Sequence, residues 1–226
     1  VNGTPVAETI TGTDGADLLA GGAGNDIIDG GDGDDILIGG TGNDELRGGS
    51  DVDTAVFTGS VADYSFQHYP TFTLVTDSRP NGDGQTKVFT DVEKYQFSEG
   101  TFTLQRGHNG ADTLTAPDGQ RTLLVGFSST DSLTGGDADD ALVGGNDNDT
   151  LNGGAGNDIL LGGDGDDRLI GGTGNDDLRG GAGTDTAVFT GSLLDYSFQH
   201  YPTFTLVADS RPNGDGQTKV STDVEK

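Results

Sequence analysis

The sequence predicts an all-β protein: parallel β-roll blocks, a β-helix type of solenoid, each followed by a small antiparallel β cap, in tandem. A nine-residue phrase repeats from Gly12 to Val56 and again from Gly135 to Phe189. Each block is followed by a strand-like segment without the phrase, and these two segments are nearly identical. The 226-residue chain has 41 glycines and no cysteine. A short, strict period of this kind is typical of solenoids, in which every repeat stacks on its neighbours.

The repeat units fix a chemical pattern as well as a period. The first block reads GTDGADLLA, GGAGNDIID, GGDGDDILI, GGTGNDELR and GGSDVDTAV. The second block reads GGDADDALV, GGNDNDTLN, GGAGNDILL, GGDGDDRLI, GGTGNDDLR and GGAGTDTAV. Every unit has Asp at position six and an apolar residue at position eight. Each unit is therefore a glycine-lined acidic turn followed by a very short strand, and one such unit cannot bury enough surface to fold alone.

These units resemble the RTX family of secreted calcium-binding proteins, whose motif is GGxGxDxUx, where U is a large aliphatic residue. The resemblance covers both blocks. It implies that the position-six Asp of one unit shares a calcium ion with that of the unit two further on. The implied pairs are Asp17 with Asp35, Asp26 with Asp44, Asp35 with Asp53, Asp140 with Asp158, Asp149 with Asp167, Asp158 with Asp176, and Asp167 with Asp185.

The resemblance also implies that carbonyl groups of the turns complete the calcium shell. The implied ligand residues then include Asp131 and the glycines at positions two and four: Gly22, Gly24, Gly31, Gly33, Gly40, Gly42, Gly154, Gly156, Gly163, Gly165, Gly172 and Gly174. We expect several calcium ions, about seven or more, each held by six to eight oxygens. Magnesium, which requires strict octahedral geometry, and zinc, which prefers nitrogen and sulfur, fit this ligand set less well.

Elementary electrostatics favours the same conclusion. If alternate units stack in one sheet, their position-six carboxylates lie about 4.8 Å apart and repel by about 3 kcal/mol at an effective dielectric of 20. Without a cation, we expect the blocks to be largely disordered. The alternative is that each Asp only caps its own turn. Strict register through both blocks favours cation binding.

Other polar residues of the repeats are predicted to have different roles. Acids at positions three and five should be solvated: Asp32, Asp34, Asp164 and Asp166. Asparagines at position five should only tolerate left-handed backbone: Asn25, Asn43, Asn157 and Asn175. Between the blocks, Arg121 or Thr122 stands where Asp is expected. That turn is predicted to bind no ion or to interrupt the ladder.

The repeats divide the chain into six segments. We expect a linker at 1–11, β-roll 1 at 12–57, β cap 1 at 58–104, degenerate repeats or a linker at 105–134, β-roll 2 at 135–189, and a truncated β cap 2 at 190–226. In the first cap, Tyr64, Phe66 and His68 alternate as in a strand, and Tyr69-Pro70 marks a bend. The cap aromatics are predicted to form a core rather than a ligand patch. Asp83 and its copy Asp215 are predicted to make ordinary turns rather than bind peripheral ions.

Composition and motifs bound the function. The formal net charge of −27 excludes a nucleic-acid-binding role, because phosphate recognition needs basic residues. No apolar stretch is long enough to insert into a membrane as a helix. The sequence contains no HExxH, GxSxG or P-loop motif and no EF-hand loop with its terminal Glu. We therefore expect no enzymatic activity in this chain.

The resulting prediction is a non-catalytic calcium-binding RTX module that folds on calcium binding outside the cell. It would be a structural or adhesive repeat of a large bacterial secreted or surface-layer protein, exported by type I secretion. Self-association, or contact with a cell surface or carbohydrate, is a further expectation. The alternative is the C-terminal secretion and folding domain of a secreted protease, lipase or polysaccharide-modifying enzyme.

Overall fold

The structure is a computed structural model that describes residues 3–212, 214–221 and 224–225. It divides the chain into two compact units, Val1–Thr103 and Leu104–Lys226. The described residues form β-strands, with short 3-10 turns at Val61–Asp63 and Leu193–Asp195. Nowhere in the described part of the chain does a helix have the length and apolar character needed to cross a membrane. The all-β prediction is confirmed.

The first unit is a two-sheet roll with a cap. Its strands are β1 (Thr9–Thr11), β2 (Leu18–Ala23), β3 (Ile27–Asp32), β4 (Ile36–Thr41), β5 (Asn43–Ser50), β6 (Thr54–Val56), β7 (Tyr64–Tyr69), β8 (Phe72–Asp77), β9 (Gln85–Phe89), β10 (Lys94–Phe97) and β11 (Gly100–Arg106). One sheet has the order β1-β3-β5-β9-β8-β7, and the other contains β2-β4-β6-β10-β11. Successive repeat strands therefore alternate between the two sheets.

Parallel pairing joins each strand to the one two units further along the chain. Ile28 of β3 pairs with Leu46 of β5, and Leu19 of β2 pairs with Leu37 of β4. These four position-eight side chains are fully buried between the sheets. Strand β1, which lies in the expected linker, also contributes to the roll, because its Ile10 pairs with Ile28. Two repeat units therefore complete one turn of the solenoid, and position eight builds its core.

The first cap is an antiparallel excursion from the roll. Strand β7 pairs antiparallel with β8, and β8 pairs antiparallel with β9. Strand β9 then pairs parallel with β5, and β10 pairs parallel with β6. The predicted antiparallel cap is confirmed, and β9 and β10 add two further rungs to the roll.

Aromatic packing closes this cap. The ring of Phe97 stacks on Phe57 with centroids 5.2 Å apart and lies 5.4 Å from Tyr64. Phe102 is buried beside Phe97, at 6.4 Å. Asp83 accepts hydrogen bonds from the Thr58 main chain and from the Tyr64 hydroxyl. These contacts give the aromatics and Asp83 a structural role in the cap.

The second unit repeats this design. Its strands are β12 (Thr113–Thr115), β13 (Thr122–Ser128), β14 (Ser132–Thr134), β15 (Ala141–Asn146), β16 (Thr150–Ala155), β17 (Ile159–Asp164), β18 (Arg168–Thr173), β19 (Asp177–Ala182), β20 (Asp185–Ala187), β21 (Tyr196–His200), β22 (Phe204–Asp209), β23 (Gln217–Ser221) and β24 (Val224–Glu225). One sheet contains β13-β15-β17-β19-β23-β22-β21, and the other has the order β12-β14-β16-β18-β20-β24.

Residues 105–134 supply the first three strands of this second roll. Leu114 pairs with Leu133 despite the irregular spacing in the sequence. The extra residue lies in the exposed turn that precedes Thr122, near Gly119 (φ 72°). Thr122 occupies position six, since its main-chain N–H donates to Asp140 Oδ1 at 2.7 Å. The ladder of strands therefore continues through a turn that lacks the position-six carboxylate.

The two caps differ in how much apolar surface they bury. Val61 is 0% exposed in the first cap, whereas its counterpart Leu193 is 74% exposed and the adjacent Leu194 is 94% exposed. The Phe189–Tyr196 contact is kept, with centroids 5.4 Å apart. In the first cap, Phe97 from β10 covers the equivalent face. The side chains of residues 222–226 lie outside the described residues.

Candidate metal centre

The position-six aspartates form a continuous ladder along each roll. In each case the main-chain N–H of one Asp donates to Oδ1 of the Asp two units further on. The bonds are Asp17 to Asp35 (2.8 Å), Asp26 to Asp44 (2.9 Å), Asp35 to Asp53 (2.9 Å), Asp131 to Asp149 (2.8 Å), Asp140 to Asp158 (2.8 Å), Asp149 to Asp167 (2.8 Å), Asp158 to Asp176 (3.0 Å) and Asp167 to Asp185 (2.9 Å). The structure thus brings together every implied pair and adds the pair Asp131–Asp149.

The second carboxylate oxygen, Oδ2, is the feature that points to a ligand. It is buried and has no hydrogen-bond partner in Asp26, Asp35, Asp44, Asp53, Asp131, Asp149, Asp158, Asp167 and Asp176. Leaving a buried acceptor unsatisfied costs about 1–3 kcal/mol, and more when the group is charged. Such a cost repeated along a ladder is offset when a cation lies against these oxygens. The residues present therefore fit a bound metal ion.

Main-chain oxygens also lie between the stacked turns. A Cβ added to Gly21, at position one, would lie closer than 3.0 Å to both Asp26 Oδ2 and the Gly39 carbonyl oxygen. A Cβ added to Gly40 or Gly42 would collide with the carbonyl oxygen of Gly22 or Gly24. Carbonyls at positions two and four therefore point towards the next turn of the same stack, and the position-one carbonyl points towards the preceding turn. Glycine at position one is required by this close approach of oxygens.

The backbone at position two decides whether Oδ2 has a partner. Gly22 (φ 100°) and Gly31 (φ 108°) precede Asp26 and Asp35, whose Oδ2 atoms have no partner. In the units of the other aspartates whose Oδ2 has no partner, the residue at position two is also left-handed. These residues are Gly40, Gly49, Phe127, Gly145, Gly154, Gly163 and Gly172. A left-handed residue turns its peptide group away from the position-six carboxylate.

The first aspartate in each of two stacks, Asp17 and Asp140, has the opposite arrangement. Thr13, at position two, donates its main-chain N–H to Asp17 Oδ2 at 2.7 Å, and Gly136 donates likewise to Asp140 at 2.7 Å. Neither Thr13 nor Gly136 is among the residues with positive φ. Asp140 therefore has both carboxylate oxygens engaged by the protein, and Asp17 has its Oδ2 engaged by both the main chain and the side chain of Thr13. The sequence motif alone does not distinguish Asp140 from the interior aspartates.

Position five forms a second ladder that sequence reasoning missed. The Asn25 side chain accepts a hydrogen bond from the Asn43 main chain at 2.9 Å, and Asp34 accepts one from Val52 at 3.0 Å. The same bond recurs from Asn175 to Asn157, at 3.0 Å, and from Thr184 to Asp166, at 2.8 Å. These bonds run in the direction opposite to the position-six ladder.

One expectation for these residues was wrong, and another was incomplete. The position-five asparagines do not have positive φ; among non-glycine repeat residues, left-handed backbone occurs instead at position four, in Asp51 (φ 75°), Ser129 (φ 78°) and Asp147 (φ 73°), and at position two in Phe127 (φ 80°). Asp34 and Asp166 are exposed, as expected, but each also bonds the neighbouring turn. The physical reason is that an oxygen at position five lies opposite an unpaired N–H of the next turn.

Burial and mutual repulsion raise the pKa of several ladder carboxylates. Burial, with the charges of stacked aspartates, raises the pKa of Asp158 to about 8 and that of Asp149 to about 7. The same causes raise the pKa of Asp44 to about 6. Hydrogen bonds from Thr13, in contrast, lower the pKa of Asp17. The interior carboxylates therefore gain most from a positive charge placed between them.

The donor set identifies the kind of ion. The described residues contain no group of three or more His, Cys, Asp or Glu side chains arranged to hold a metal. The oxygens that the structure brings together between two turns are those of paired carboxylates and main-chain carbonyls. An all-oxygen, flexible set of this kind is what calcium prefers.

Comparison with known proteins agrees with this geometry. The RTX calcium-binding nonapeptide repeat matches four stretches, residues 2–37, 29–56, 125–160 and 152–187, which together cover about half of the chain. No curated protein matches the chain. Among solved structures it is similar to the extracellular lipase LipA from Serratia marcescens, with 21% identity and a TM-score of 0.37. That match covers 95% of this chain, which spans 37% of the lipase chain.

RTX repeats bind calcium, form a non-catalytic β-roll and are typical of secreted bacterial proteins. On the matched repeats and the stacked aspartates, this chain belongs to the RTX calcium-binding nonapeptide repeat family.

Proposed function

We propose that this chain is a non-catalytic module that folds on calcium binding outside the cell and serves as a structural or adhesive repeat of a larger secreted or surface-layer protein. The observation that carries the proposal is the line of buried Oδ2 atoms without partners in each roll. Without a cation, these buried oxygens destabilise the folded state. A bound cation neutralises them and stabilises it.

The mechanism couples metal binding to folding. The paired carboxylates and the carbonyls lie together only in the stacked turns, so the unfolded chain has no site. Binding free energy then becomes folding free energy. Extracellular calcium modules typically bind at about 10⁻⁴ to 10⁻³ M. A chain with such affinity stays unfolded where calcium is scarce, which suits export through a type I channel, and folds where calcium is abundant.

The interior pairs are the proposed ligand sets. Each ion would be held by two position-six carboxylates and by carbonyls at positions two and four of the flanking turns, which gives about seven ions or more. The alternative, a folding domain attached to a secreted enzyme, stays a prediction about sequence outside this chain.

Removal of calcium tests the proposal directly. We expect the β signal in circular dichroism at pH 8 to be lost in excess EGTA and restored by millimolar calcium, because the bare carboxylates repel. Magnesium at the same concentration is the control and should restore little of the signal, since it requires octahedral geometry. An unchanged β signal in EGTA would falsify calcium-driven folding.

Calcium-free protein should respond to pH with an unusual sign. The folded pKa values of Asp44 and Asp158, about 6 and about 8, lie above the usual value for Asp. Carboxyl groups whose pKa is higher in the folded than in the unfolded state stabilise the fold at low pH. That stability is lost as the pH rises through about 6 to 8. We expect protein stripped of calcium on a chelating resin to lack the β signal in circular dichroism at pH 8 and to regain part of it at pH 5.

Saturating calcium should reverse this dependence, because protons compete with the ion for the same carboxylates. The β signal without calcium and the thermal midpoint with calcium, each measured at pH 5 and pH 8, check the prediction. A change of the same sign from pH 5 to pH 8 in the two conditions would contradict it.

A further inference from the structure

The chain that leaves the first cap makes one more rung of the roll, and this rung carries an acid at position six. Strand β10 pairs in parallel with β6, so that Lys94 lies beside Thr54 and Tyr95 beside Ala55. Residue 93 therefore stands where a repeat would have its position-six Asp. Glu93 fills that role, because its Oε2 accepts the main-chain N–H of Asp53 at 2.9 Å.

The oxygen arrangement of an interior turn is reproduced at this junction. In the interior, a Cβ on Gly30 would collide with Asp35 Oδ2 and would lie 2.5 Å from the Gly48 carbonyl oxygen. At the junction, a Cβ on Gly48 would collide with Asp53 Oδ2 and the Asp91 carbonyl oxygen. The Asp91 carbonyl therefore takes the place of the position-one glycine carbonyl.

Asp53 shows that this place needs a ligand. The side chain is 0% exposed, and its Oδ2 has no hydrogen-bond partner. It lies on the same side of the turn as the Asp91 carbonyl, against Gly48. Asp53 Oδ2 and the Asp91 carbonyl oxygen therefore face the same small space. The Glu93 carboxylate occupies the position-six place of the adjacent rung.

The neighbouring stack offers an internal contrast. There the roll continues through β9, and Thr86 lies opposite Asp44 in the parallel register. A Cβ on Gly39 would have only atoms of Asp44 as its three nearest neighbours. The β9 rung thus lacks both the acid at position six and the close facing carbonyl. The β10 rung has both.

The geometry points to a further calcium site, outside the nonapeptide repeats, formed by the carboxylates of Asp53 and Glu93 and the main-chain carbonyl of Asp91. This inference rests on the proposed calcium binding of the repeats. Because Glu93 follows the cap in sequence while Asp53 precedes it, an ion here would fasten the two ends of the cap to the roll. The cap would then close only in the presence of calcium.

Glu93→Gln tests the site, with Glu99→Gln as the matched control. Glu99 lies in the same cap, where its carboxylate accepts hydrogen bonds from the Ser60 hydroxyl and the Val61 main chain. We expect native mass spectrometry with calcium to show one ion fewer in E93Q than in the wild type, and the wild-type count in E99Q. Glu93→Asp, which restores the acid of the repeats, should keep the wild-type count.

Each other outcome is decisive. An E93Q protein with the wild-type ion count overturns the junction site but leaves the repeat sites intact. A wild type that binds no calcium overturns the proposed function itself. If E93Q does not fold, Asp53→Asn decides, because Asp53 belongs both to the pair with Asp35 and to the junction. The loss of two ions supports the junction site, and the loss of only one overturns it.

Discussion

Asp158→Asn should stabilise the calcium-free protein and destabilise the calcium-bound protein. Asp158 lies in the middle of the second roll, where its Oδ1 accepts from Asp140 and its own N–H donates to Asp176. Asparagine keeps the oxygen acceptor and replaces the partnerless Oδ2 with an amide nitrogen. In the wild type, a Cβ on Gly153 would meet both Asp158 Oδ2 and the Gly171 carbonyl oxygen. The new amide can therefore donate to that carbonyl.

Without calcium, we expect D158N to gain about 1–3 kcal/mol in the free energy of unfolding, because a buried unsatisfied charge is removed. With calcium at about a hundred times its dissociation constant, each ion contributes about 2.7 kcal/mol. Asp158 belongs to two successive pairs, so losing its charge weakens binding at both. Chemical denaturation at pH 8 in calcium measures the second change. The first is measured in EGTA as the concentration of trimethylamine N-oxide that restores half of the β signal, because this osmolyte favours the folded state.

Asp164→Asn is the control for the opposite effects of Asp158→Asn on stability without and with calcium. Asp164 is exposed at position three, so the substitution should change stability by less than about 0.5 kcal/mol in either condition. If D158N moved stability in the same direction with and without calcium, the aspartates would be structural turn residues rather than cation ligands.

Gly30→Ala should disrupt the first roll although Gly30 has an ordinary backbone conformation. The added methyl group would collide with Asp35 Oδ2 and would lie 2.5 Å from the Gly48 carbonyl oxygen, both of which face the proposed ion. We expect a loss of about 1–3 kcal/mol from overpacking, together with the loss of one bound calcium ion. Thermal denaturation in calcium and an ion count by native mass spectrometry check both effects.

Gly15→Ala provides the matched control in the same roll. Gly15 occupies position four of its unit, but a Cβ there would meet nothing within 4 Å. We expect unchanged stability or a gain of up to about 1 kcal/mol, because alanine restricts the unfolded chain. Equal behaviour of G15A and G30A would show that the close approach of oxygens at position one is not needed for calcium.

The repeat sequence is sufficient to predict the roll, because its period sets the register and its position-eight residues set the core. The pairing of position-six aspartates follows from the same period. Leu114 and Leu133 show where the pattern becomes weak: an inserted residue hides the stack in the sequence, but the exposed turn before Thr122 absorbs it. Solvent-exposed turns tolerate such insertions at little cost.

Features that depend on backbone orientation could not be read from the motif. Gly136 and Gly145 both occupy position two, yet only Gly145 (φ 124°) is left-handed and leaves its aspartate, Asp149, without a partner. Glu93 was missed for a different reason: it comes 40 residues after Asp53, beyond the period of the repeat. The segment DVEK does resemble DVDT of the last unit, and that similarity was the available signal.

The two opposed ladders of side-chain bonds have a consequence for how the chain becomes ordered. Position six of a turn accepts from the preceding turn of its stack, and position five accepts from the following one, as with Asp44 and Asn43. An ordered turn therefore offers a template at both of its faces. Nearest-neighbour systems of this type behave as one-dimensional zippers, in which a single nucleus can spread both ways. Calcium would then set the length of the ordered array by lowering the cost of each added step.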